Sequence, residues 1–388
     1  MTCQPDTTST ATVTATLSFA TVDGGTSGVA SVPTGSPEEE AHALKTHLQS
    51  TFGWKMYDIV LEMYEPGKYM VLFDTITTRF IRECSVSEAI TYSDRETVYR
   101  ELRQFIDTTQ VSELDVTDIY SHYNITAIGE HALSRCTSLT TVTIPDSVTT
   151  IGEHAFNGCT SLTTLTIPDS VTTIATRSFS GCISLTTIAI PPSVTTLCKW
   201  TFYRCSSLSL VTIPDSVTVI GNGAFAHCTS LTTLTLPESI TTIGAYAFDG
   251  CTALTTVPMM PHSSAIAIGK GAFNGCASLH TVAIPYSVTT IGAHTFDGCS
   301  SLVALALPDG VTTIGRYAFS CCSALTAITI PESVTAIDKC AFSCCTALTA
   351  VTIPESVTTI DECAFSGCTA LTAITIPESC EYIHTGTR

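Results

Sequence analysis

The stretch CTSLTTLTIPDSVTTI, residues 159–174, decides the fold, because it returns almost unchanged as CSALTAITIPESVTAI at residues 322–337. The same pattern recurs along the chain with a period of 23 residues, broken by one spacing of 25 between Cys251 and Cys276. A fixed period of this length predicts a repeat architecture in which similar units stack on one another. One cysteine marks each repeat: Cys136, Cys159, Cys182, Cys205, Cys228, Cys251, Cys276, Cys299, Cys322, Cys345 and Cys368.

The segment after each cysteine predicts a β-strand. In residues 162–167, LTTLTI, the last four side chains alternate between threonine and an aliphatic residue, which is the period of a strand with one buried face. The proline that follows, from Pro145 to Pro377, has no N–H to donate and therefore ends the strand. The Ile-Gly-x-x-Ala-Phe-x-x-Cys segment then carries the chain back, and we expect a short helical or 3-10 turn there.

Stacking is required because a single 23-residue unit leaves two open faces and has too small a core to fold alone. We therefore expect an all-parallel array with one strand per repeat on its inner face. The repeated phenylalanines are expected to stack in the core; in the first full repeats these are Phe156, Phe179, Phe202, Phe225 and Phe248.

The combination of LxxLxI-P, the Ile-Gly turn, the Ala-Phe pair and the cysteine resembles the BspA-type leucine-rich repeat. The resemblance covers about residues 125–383, although Leu133 stands in the first unit where later units have phenylalanine. It implies a leucine-rich-repeat β-solenoid, right-handed and curved, with parallel strands joined by short helical or 3-10 turns. Members of that family bind other molecules and occur on bacterial surfaces and in many unicellular eukaryotes.

The chain is predicted to have three parts. Residues 1–35 are rich in Thr, Ser and Gly without a period, which predicts a disordered leader. Residues 36–115 predict a small α+β domain of unknown role, and residues 125–388 the solenoid of about eleven units. Within the small domain we expect a helix over residues 36–50, a hairpin around EPGK and a second helix over residues 93–106.

Composition excludes several classes of partner. The formal net charge is −18 with only 16 Lys and Arg, whereas nucleic-acid binding needs clustered basic residues. Threonine, serine or proline interrupts every apolar run well before 18 residues, so no membrane span is predicted. The N-terminal residues lack the pattern of a secretory signal, which favours a cytoplasmic location. We also expect the protein to be a monomer. A cell-surface location, as in the bacterial relatives, is the alternative.

The repeated cysteines are predicted to be free, buried thiols. A residue that recurs once per unit marks a packing position, and cysteine is a small and readily buried side chain. Neighbouring cysteines of the column would have parallel Cβ vectors, which disulfide geometry resists. We therefore expect reduced thiols along this column.

No catalytic motif occurs in the sequence, so we expect no enzyme activity, no cofactor and no metal. Two weaker constellations remain open. His131 and His154, each preceded by a glutamate (Glu130 and Glu153), occupy one position of adjacent repeats and could form a zinc site or be exposed turn residues. A thiolate cluster could similarly form from four cysteines outside the column: Cys321, Cys340, Cys344 and Cys363.

Two further features could attract a partner. The residue after each proline is usually acidic, which predicts either a row of carboxylates for a basic partner or a set of solvated turns. The two-residue insertion within VPMMPHSSAIAIG, residues 257–269, could protrude as a binding loop or be neutral.

The outward strand positions are mostly threonine and uncharged, which favours a non-catalytic scaffold that binds a protein, or a glycan, through a threonine-rich concave face. Two alternatives are an ice-binding surface built on T-x-T pairs and an enzyme in residues 36–115 that the repeats target. Breaks in the consensus point to the centre of the site. The predicted partner-binding residues are Thr141, Thr143, Thr164, Thr166, Leu210, Thr212, Thr233, Thr235, His280, Thr281 and Val303.

Overall fold

The computed structural model divides the chain into two compact units, Met1–Cys84 and Ser85–Arg388. The residues that it describes are 14–21, 27–33, 59–65, 68–73, 99–100, 102–104, 106–107, 110–116, 125–258, 266–378 and 380–382.

The first unit contains one four-stranded sheet with the order β2-β1-β4-β3. Its strands are β1 (Thr14–Thr21), β2 (Ser27–Pro33), β3 (Ile59–Glu65) and β4 (Lys68–Phe73). Strands β1 and β2 are antiparallel, as are β3 and β4, whereas β1 and β4 are parallel. The β3–β4 pair, in which Glu65 lies opposite Lys68, confirms the hairpin predicted around EPGK.

Strands β1 and β2 fall within residues 1–35, for which composition predicts a disordered leader. The segment TATLSFAT alternates small or hydroxyl residues with Ala, Leu and Phe, a two-residue period that composition alone does not register. The helix predicted over residues 36–50 lies outside the described residues.

The second unit is a parallel β-solenoid in which a full repeat contributes two short strands; in the repeat that starts at Cys228 the first of these is reduced to an isolated bridge at Thr233. In chain order these are β5 (Glu113–Asp115), β6 (Ala127–Ile128), β7 (Thr141–Thr143), β8 (Thr150–Ile151), β9 (Thr164–Leu165), β10 (Thr173–Ile174), β11 (Thr187–Ala189), β12 (Thr196–Leu197), β13 (Leu210–Thr212), β14 (Val219–Ile220), β15 (Thr242–Ile243), β16 (Thr256–Val257), β17 (Ala267–Ile268), β18 (Thr281–Val282), β19 (Thr290–Ile291), β20 (Ala304–Ala306), β21 (Thr313–Ile314), β22 (Ala327–Thr329), β23 (Ala336–Ile337), β24 (Ala350–Thr352), β25 (Thr359–Ile360), β26 (Ala373–Thr375) and β27 (Glu381–Tyr382).

The strand before the proline, here called the first strand, pairs with first strands of neighbouring repeats, in the orders β13-β11-β9-β7-β5, β16-β18 and β20-β22-β24-β26. The strand after the proline, the second strand, forms a separate series: β10-β8-β6, β12-β14-β15-β17 and β19-β21-β23-β25-β27. The sequence predicts one strand per repeat and therefore misses the second strand. Two residues are too few to show a period, so the second strand leaves no signal in the sequence.

The core is built from one set of side chains per repeat. In the repeat that starts at Cys159, the buried residues include Leu162, Leu165, Val171 and Ile174. The predicted phenylalanine stack is confirmed and extends from Phe156 to Phe365, with neighbouring ring centroids 5.3–5.5 Å apart and nearly parallel. Each ring thus buries both of its faces against the rings of adjacent repeats, which makes every repeat depend on its neighbours.

The segment between the second strand and the next cysteine, here called the arc, consists of consecutive turns and contains no helical residue in the described repeats. Along the arc, successive backbone N–H groups donate alternately to a carbonyl of the same repeat and to a carbonyl of the next repeat. Ala155 donates to Gly152 O (3.3 Å) within its repeat, whereas Phe156 donates to Ser178 O (2.7 Å) in the next repeat. This alternation requires a positive φ at two positions of each arc, as at His154 (55°) and Gly158 (76°).

The column cysteines from Cys136 to Cys345 are buried and Cys368 is half-buried, and every cysteine in the described part of the chain is a free thiol. From Cys159 onward, each thiol of the column also donates to a carbonyl oxygen of the preceding repeat, as Cys182 Sγ does to Phe156 O (3.2 Å) and Cys205 Sγ to Phe179 O (3.1 Å). Burial raises the pKa of the Cys205 thiol to about 12, which keeps it protonated and unreactive at neutral pH.

The solenoid begins before residue 125, because β5 pairs in parallel with β7 and residues 99–100, 102–104 and 106–107 are helical. Tyr99, Leu102 and Ile106 are buried, and the Tyr99 hydroxyl donates to Ala127 O (2.7 Å). All of these helical residues except Asp107 lie within the predicted helix over residues 93–106. They cover the first repeat as part of the second unit, whereas the predicted domain boundary places them in residues 36–115.

Candidate binding surface

The threonine face is the outward side of the first strands, and it consists of two columns. The first column is Thr141, Thr164, Thr187, Leu210, Thr233, Thr256, Thr281, Ala304, Ala327, Ala350 and Ala373; the second is Thr143, Thr166, Ala189, Thr212, Thr235, Pro258, Ala283, Ala306, Thr329, Thr352 and Thr375. Alternation along the strand turns these positions outward while the residue between them is buried, as in the exposed–buried–exposed pattern of β11, β13 and β22. No charged side chain occupies either column.

The predicted partner-binding residues lie on this face or directly beside it. Those in the two columns are Thr141, which is half-buried, and the exposed Thr143, Thr164, Thr166, Leu210, Thr212, Thr233, Thr235 and Thr281. His280 and Val303 are also exposed, but they lie one position before the first column. The structure thus places the predicted set along one side of the solenoid.

The threonines in the position before the first column hold neighbouring repeats together. Thr163 donates both its N–H (3.0 Å) and its hydroxyl (3.2 Å) to Thr140 O, and Thr186 does the same to Thr163 O (3.1 and 3.3 Å). Similar hydroxyl bonds precede the second strands, as from Thr172 to Thr149 O (3.3 Å). Much of the threonine content is therefore structural, and the hydroxyls left for a ligand are those of the two outward columns.

The threonine face is interrupted in two places. Strand β13 is the last of one sheet, and in the next repeat Thr233 makes only an isolated parallel bridge with Thr256. Strands β18 and β20 also belong to different sheets. The two repeats that meet at this second interruption contain His280 and Val303. These residues replace the threonine whose hydroxyl binds the neighbouring repeat elsewhere, as Thr163 does.

Large exposed aliphatic side chains lie at these interruptions. Leu210, at the start of β13, is 53% exposed, and Val303, directly before β20, is 45% exposed. Neither side chain contributes to the buried core. The breaks in the sheet and the breaks in the threonine consensus therefore coincide.

Charged residues are kept away from this face. The eight acidic residues that follow the prolines are all exposed: Asp146, Asp169, Asp215, Glu238, Asp309, Glu332, Glu355 and Glu378. Every Lys and Arg between residues 125 and 382 lies in an arc: Arg135, Arg177, Lys199, Arg204, Lys270, Arg316 and Lys339. Because the carboxylates lie between the two strand series and the cations lie in the arc, the threonine face is left as the neutral side.

The arc carries a ring system that sequence reasoning missed. Trp200 has the Arg177 guanidinium 4.0 Å and the Lys199 ammonium 3.9 Å from its ring centroid, and the His294 and Tyr317 rings stack at 4.9 Å. All of these rings stand at positive φ, where the side chain leans over the neighbouring repeat. The sequence does not predict this stacking, because the residue at this position differs from one repeat to the next.

The histidine pair that suggested zinc is part of the same column. The His131 and His154 rings stack at 4.6 Å, and each imidazole lies near the glutamate that precedes it, at 3.8 and 3.7 Å. Burial, with the neighbouring His131 and Arg177 as secondary causes, lowers the pKa of His154. Among the described residues, no three His, Cys, Asp or Glu side chains are grouped so that they could hold a metal ion.

An open cleft of about 690 Å³ adjoins this pair. Its lining is polar and of mixed charge: Arg103, Glu130, His131, Ser134, Arg135, His154 and Asn157. The Arg103 side chain donates a hydrogen bond to the main-chain oxygen of His131. One of the two arginines that line the cleft therefore links the helical residues 102–104 to the first repeat.

Two series of parallel strands, a buried aliphatic and phenylalanine core and a 23-residue period together define a leucine-rich-repeat solenoid. The chain belongs to the BspA-type leucine-rich repeat family, whose model, "BspA type Leucine rich repeat region", matches it in 6 copies over residues 126–255 and 266–387. The recognition and fold class predicted from the sequence are thus confirmed. In the described part of the chain, no helix is both long and apolar enough to cross a membrane.

Two solved structures are similar to this chain. The crystal structure of a leucine-rich repeat protein from Bacteroides ovatus matches with a TM-score of 0.59 and 24% identity, covering 85% of this chain and 99% of that one. A leucine-rich repeat protein from Eubacterium ventriosum matches with a TM-score of 0.45 and 22% identity, covering 72% and 88% of the two chains. No curated protein matches the chain.

Proposed function

We propose that this protein is a non-catalytic scaffold that binds another protein through the threonine face, with a glycan as the alternative ligand. The observation that carries the proposal is the exposed Leu210, 53% accessible on a face that is otherwise hydroxyl, methyl and free of charge. A solenoid presents such a face as one extended surface, which suits an elongated partner.

The proposed centre of the site is the stretch of face from Leu210 to Thr235. Here the sheet is interrupted, and the outward side chains of Thr212 and Thr233 flank the exposed leucine. An aliphatic anchor with hydroxyls around it is the usual composition of an interface centre, where few charges are found. Because Leu210, Pro258 and a run of alanines interrupt the columns of hydroxyls, we favour a protein-binding face over an ice-binding lattice.

A charge placed on this face is expected to abolish binding without unfolding the protein. The full chain serves as bait, partners are identified by mass spectrometry of the bound fraction, and the affinity of the recovered partner is then measured for each variant. For Leu210→Glu and Thr235→Lys we expect affinity to fall tenfold or more, since an unpaired charge must be buried at the contact, and tenfold corresponds to about 1.4 kcal/mol.

The matched control is Ile183→Glu, which places the same charge on an exposed aliphatic side chain (44% accessible) in the preceding repeat but outside the two columns. It should bind as the unmodified protein does. Circular dichroism shows whether each variant is folded. Unchanged affinity in both face variants, with lost affinity in Tyr246→Glu, would assign the site to the arc instead.

A further inference from the structure

Two cysteines outside the buried column are stacked and exposed. Cys321 and Cys344 occupy the second positive-φ position of neighbouring arcs, with φ of 58° and 59°. Both are exposed, whereas their sequence neighbours Cys322 and Cys345 belong to the buried column. The chain thus presents two thiols to solvent in consecutive repeats.

The backbone around the two cysteines is equivalent. The N–H of Cys321 donates to Ser343 O (2.8 Å), and that of Cys344 donates to Ser366 O (2.7 Å). In both repeats the hydroxyl of the preceding serine lies 3.7 Å from the sulfur. Each sulfur therefore has the same orientation relative to its own repeat.

Gly367, at the same position of the following repeat, shows how closely this column packs. A Cβ placed on Gly367 would lie 3.2 Å from Cys344 Sγ. Since Cys344 stacks on Cys321 as residue 367 stacks on Cys344, we expect the Cys321 sulfur to point towards the Cβ of Cys344 in a similar way. In a disulfide each sulfur lies about 3 Å from the partner's Cβ, given an S–S bond of about 2.05 Å.

This position differs from the buried column in the direction of the thiol. Cys345 Sγ points back to Phe319 O (3.1 Å) of the preceding repeat, as the other column thiols do. At the positive-φ position the side chain reaches forward over the next repeat instead. Parallel Cβ vectors are common to both columns, but only at the positive-φ position does the thiol point towards the residue of the next repeat.

We propose that Cys321 and Cys344 form a modification site that exchanges with low-molecular-weight disulfides to give a Cys321–Cys344 disulfide. One thiolate attacks a sulfur of the small disulfide, forms a mixed disulfide and releases one small thiol. The second cysteine then attacks the protein sulfur of the mixed disulfide and releases the second small thiol. Two electrons pass to the small disulfide, and the two protons end on the released thiols.

The other thiols are expected to react more slowly with low-molecular-weight disulfides. Thiolate is the reacting form, and burial raises the pKa of column thiols such as Cys205 and Cys251 to about 12. The first positive-φ column holds a second stacked pair, in which Cys340 is buried and Cys363 half-buried. This burial makes the Cys340–Cys363 pair the less accessible of the two.

Trypsin distinguishes the two pairs. It cuts after Arg316 and Lys339, so Cys321 lies on peptide 317–339 and Cys344 on peptide 340–388, whereas Cys340 and Cys363 share one peptide. The full chain is reduced, freed of reductant, incubated with oxidised glutathione, alkylated and digested. We expect peptides 317–339 and 340–388 to be joined, with a loss of two hydrogens, and to separate on reduction.

Cys321→Ser and Cys344→Ser should each lower the linked fraction at least tenfold, whereas Cys363→Ser should leave it unchanged. Circular dichroism and denatured thiol counts confirm that the variants fold and are otherwise reduced. A glutathione adduct that persists on Cys321 or Cys344 without linkage would overturn the proposal. So would a link between the two peptides that survives in Cys321→Ser.

Discussion

Replacing Phe225 by alanine is expected to lower the free energy of unfolding by about 3–5 kcal/mol, the usual cost of deleting a buried aromatic ring. The ring is fully buried and stacks on Phe202 at 5.3 Å and on Phe248 at 5.5 Å, so its removal leaves a cavity between two repeats. Because contacts in a solenoid reach only adjacent repeats, the damage should remain near residues 202–248.

Native-state hydrogen exchange measures this distribution. Peptides from the repeats around Phe225 should lose protection, whereas peptides around Phe319 and Phe342 should retain it. Leu210→Ala removes an exposed side chain of the same region and should leave protection unchanged. Uniform loss of protection along the whole array would contradict the nearest-neighbour account.

Raising the pH above 9 is expected to destabilise the solenoid steeply. Burial raises the pKa of Cys205 and Cys251 from 9.0 to about 12, and burial together with the Asp107 carboxylate does the same for Cys136. A raised folded-state pKa gives stability that is complete below pH 9 and lost as the pH rises towards 12, because the unfolded thiols ionise first. Each such thiol contributes about 1.4 kcal/mol per pH unit in that range.

Urea denaturation between pH 9 and pH 11, with reductant present, measures the slope. Cys205→Ala and Cys251→Ala should each reduce it by about one proton, or about 1.4 kcal/mol per pH unit. Leu210→Ala, which removes an exposed side chain that does not titrate, should leave the slope unchanged. Equal slopes in all four proteins would mean that the column thiols ionise as readily in the folded state as in the unfolded state.

The repeat fold follows from the sequence because its signals are periodic. Eleven copies of one pattern locate the first strand, the terminating proline and the phenylalanine stack, and each of these is found where the period places it. The period also predicts that the column cysteines are buried, but it does not predict the hydrogen bonds that their thiols donate. The S–H contact from Cys182 to Phe156 O depends on the distance between repeats, which no single repeat encodes.

What the sequence does not reveal is short or non-repetitive. The second strands have two residues each, too few for a period, and β5 with the helical residues at Tyr99 and Leu102 belongs to no repeat. Positive φ at large residues such as Trp200 and Tyr246 is equally hidden, because local preference for these residues favours negative φ. Bonds to the next repeat hold the arc in this conformation, and those bonds appear only in the stacked array.

The candidate surface was partly accessible from the sequence. Alternation predicts which threonines point outward, and the loss of consensus at Leu210 and Val303 marks the places where the sheet is interrupted. Sequence alone does not separate threonines that bind the neighbouring repeat, such as Thr163, from those whose hydroxyls remain for a ligand, such as Thr164. That distinction comes from the spacing of the strands.

The central claim is that partners bind the threonine face, and hydrogen exchange of the full chain with and without the recovered partner tests it most directly. We expect added protection in peptides that contain Leu210–Thr212 and residues 233–235, and unchanged exchange in arc peptides that contain Trp200 or Tyr246. Protection confined to the arc peptides, with residues 210–212 and 233–235 exchanging as in the free protein, would contradict it.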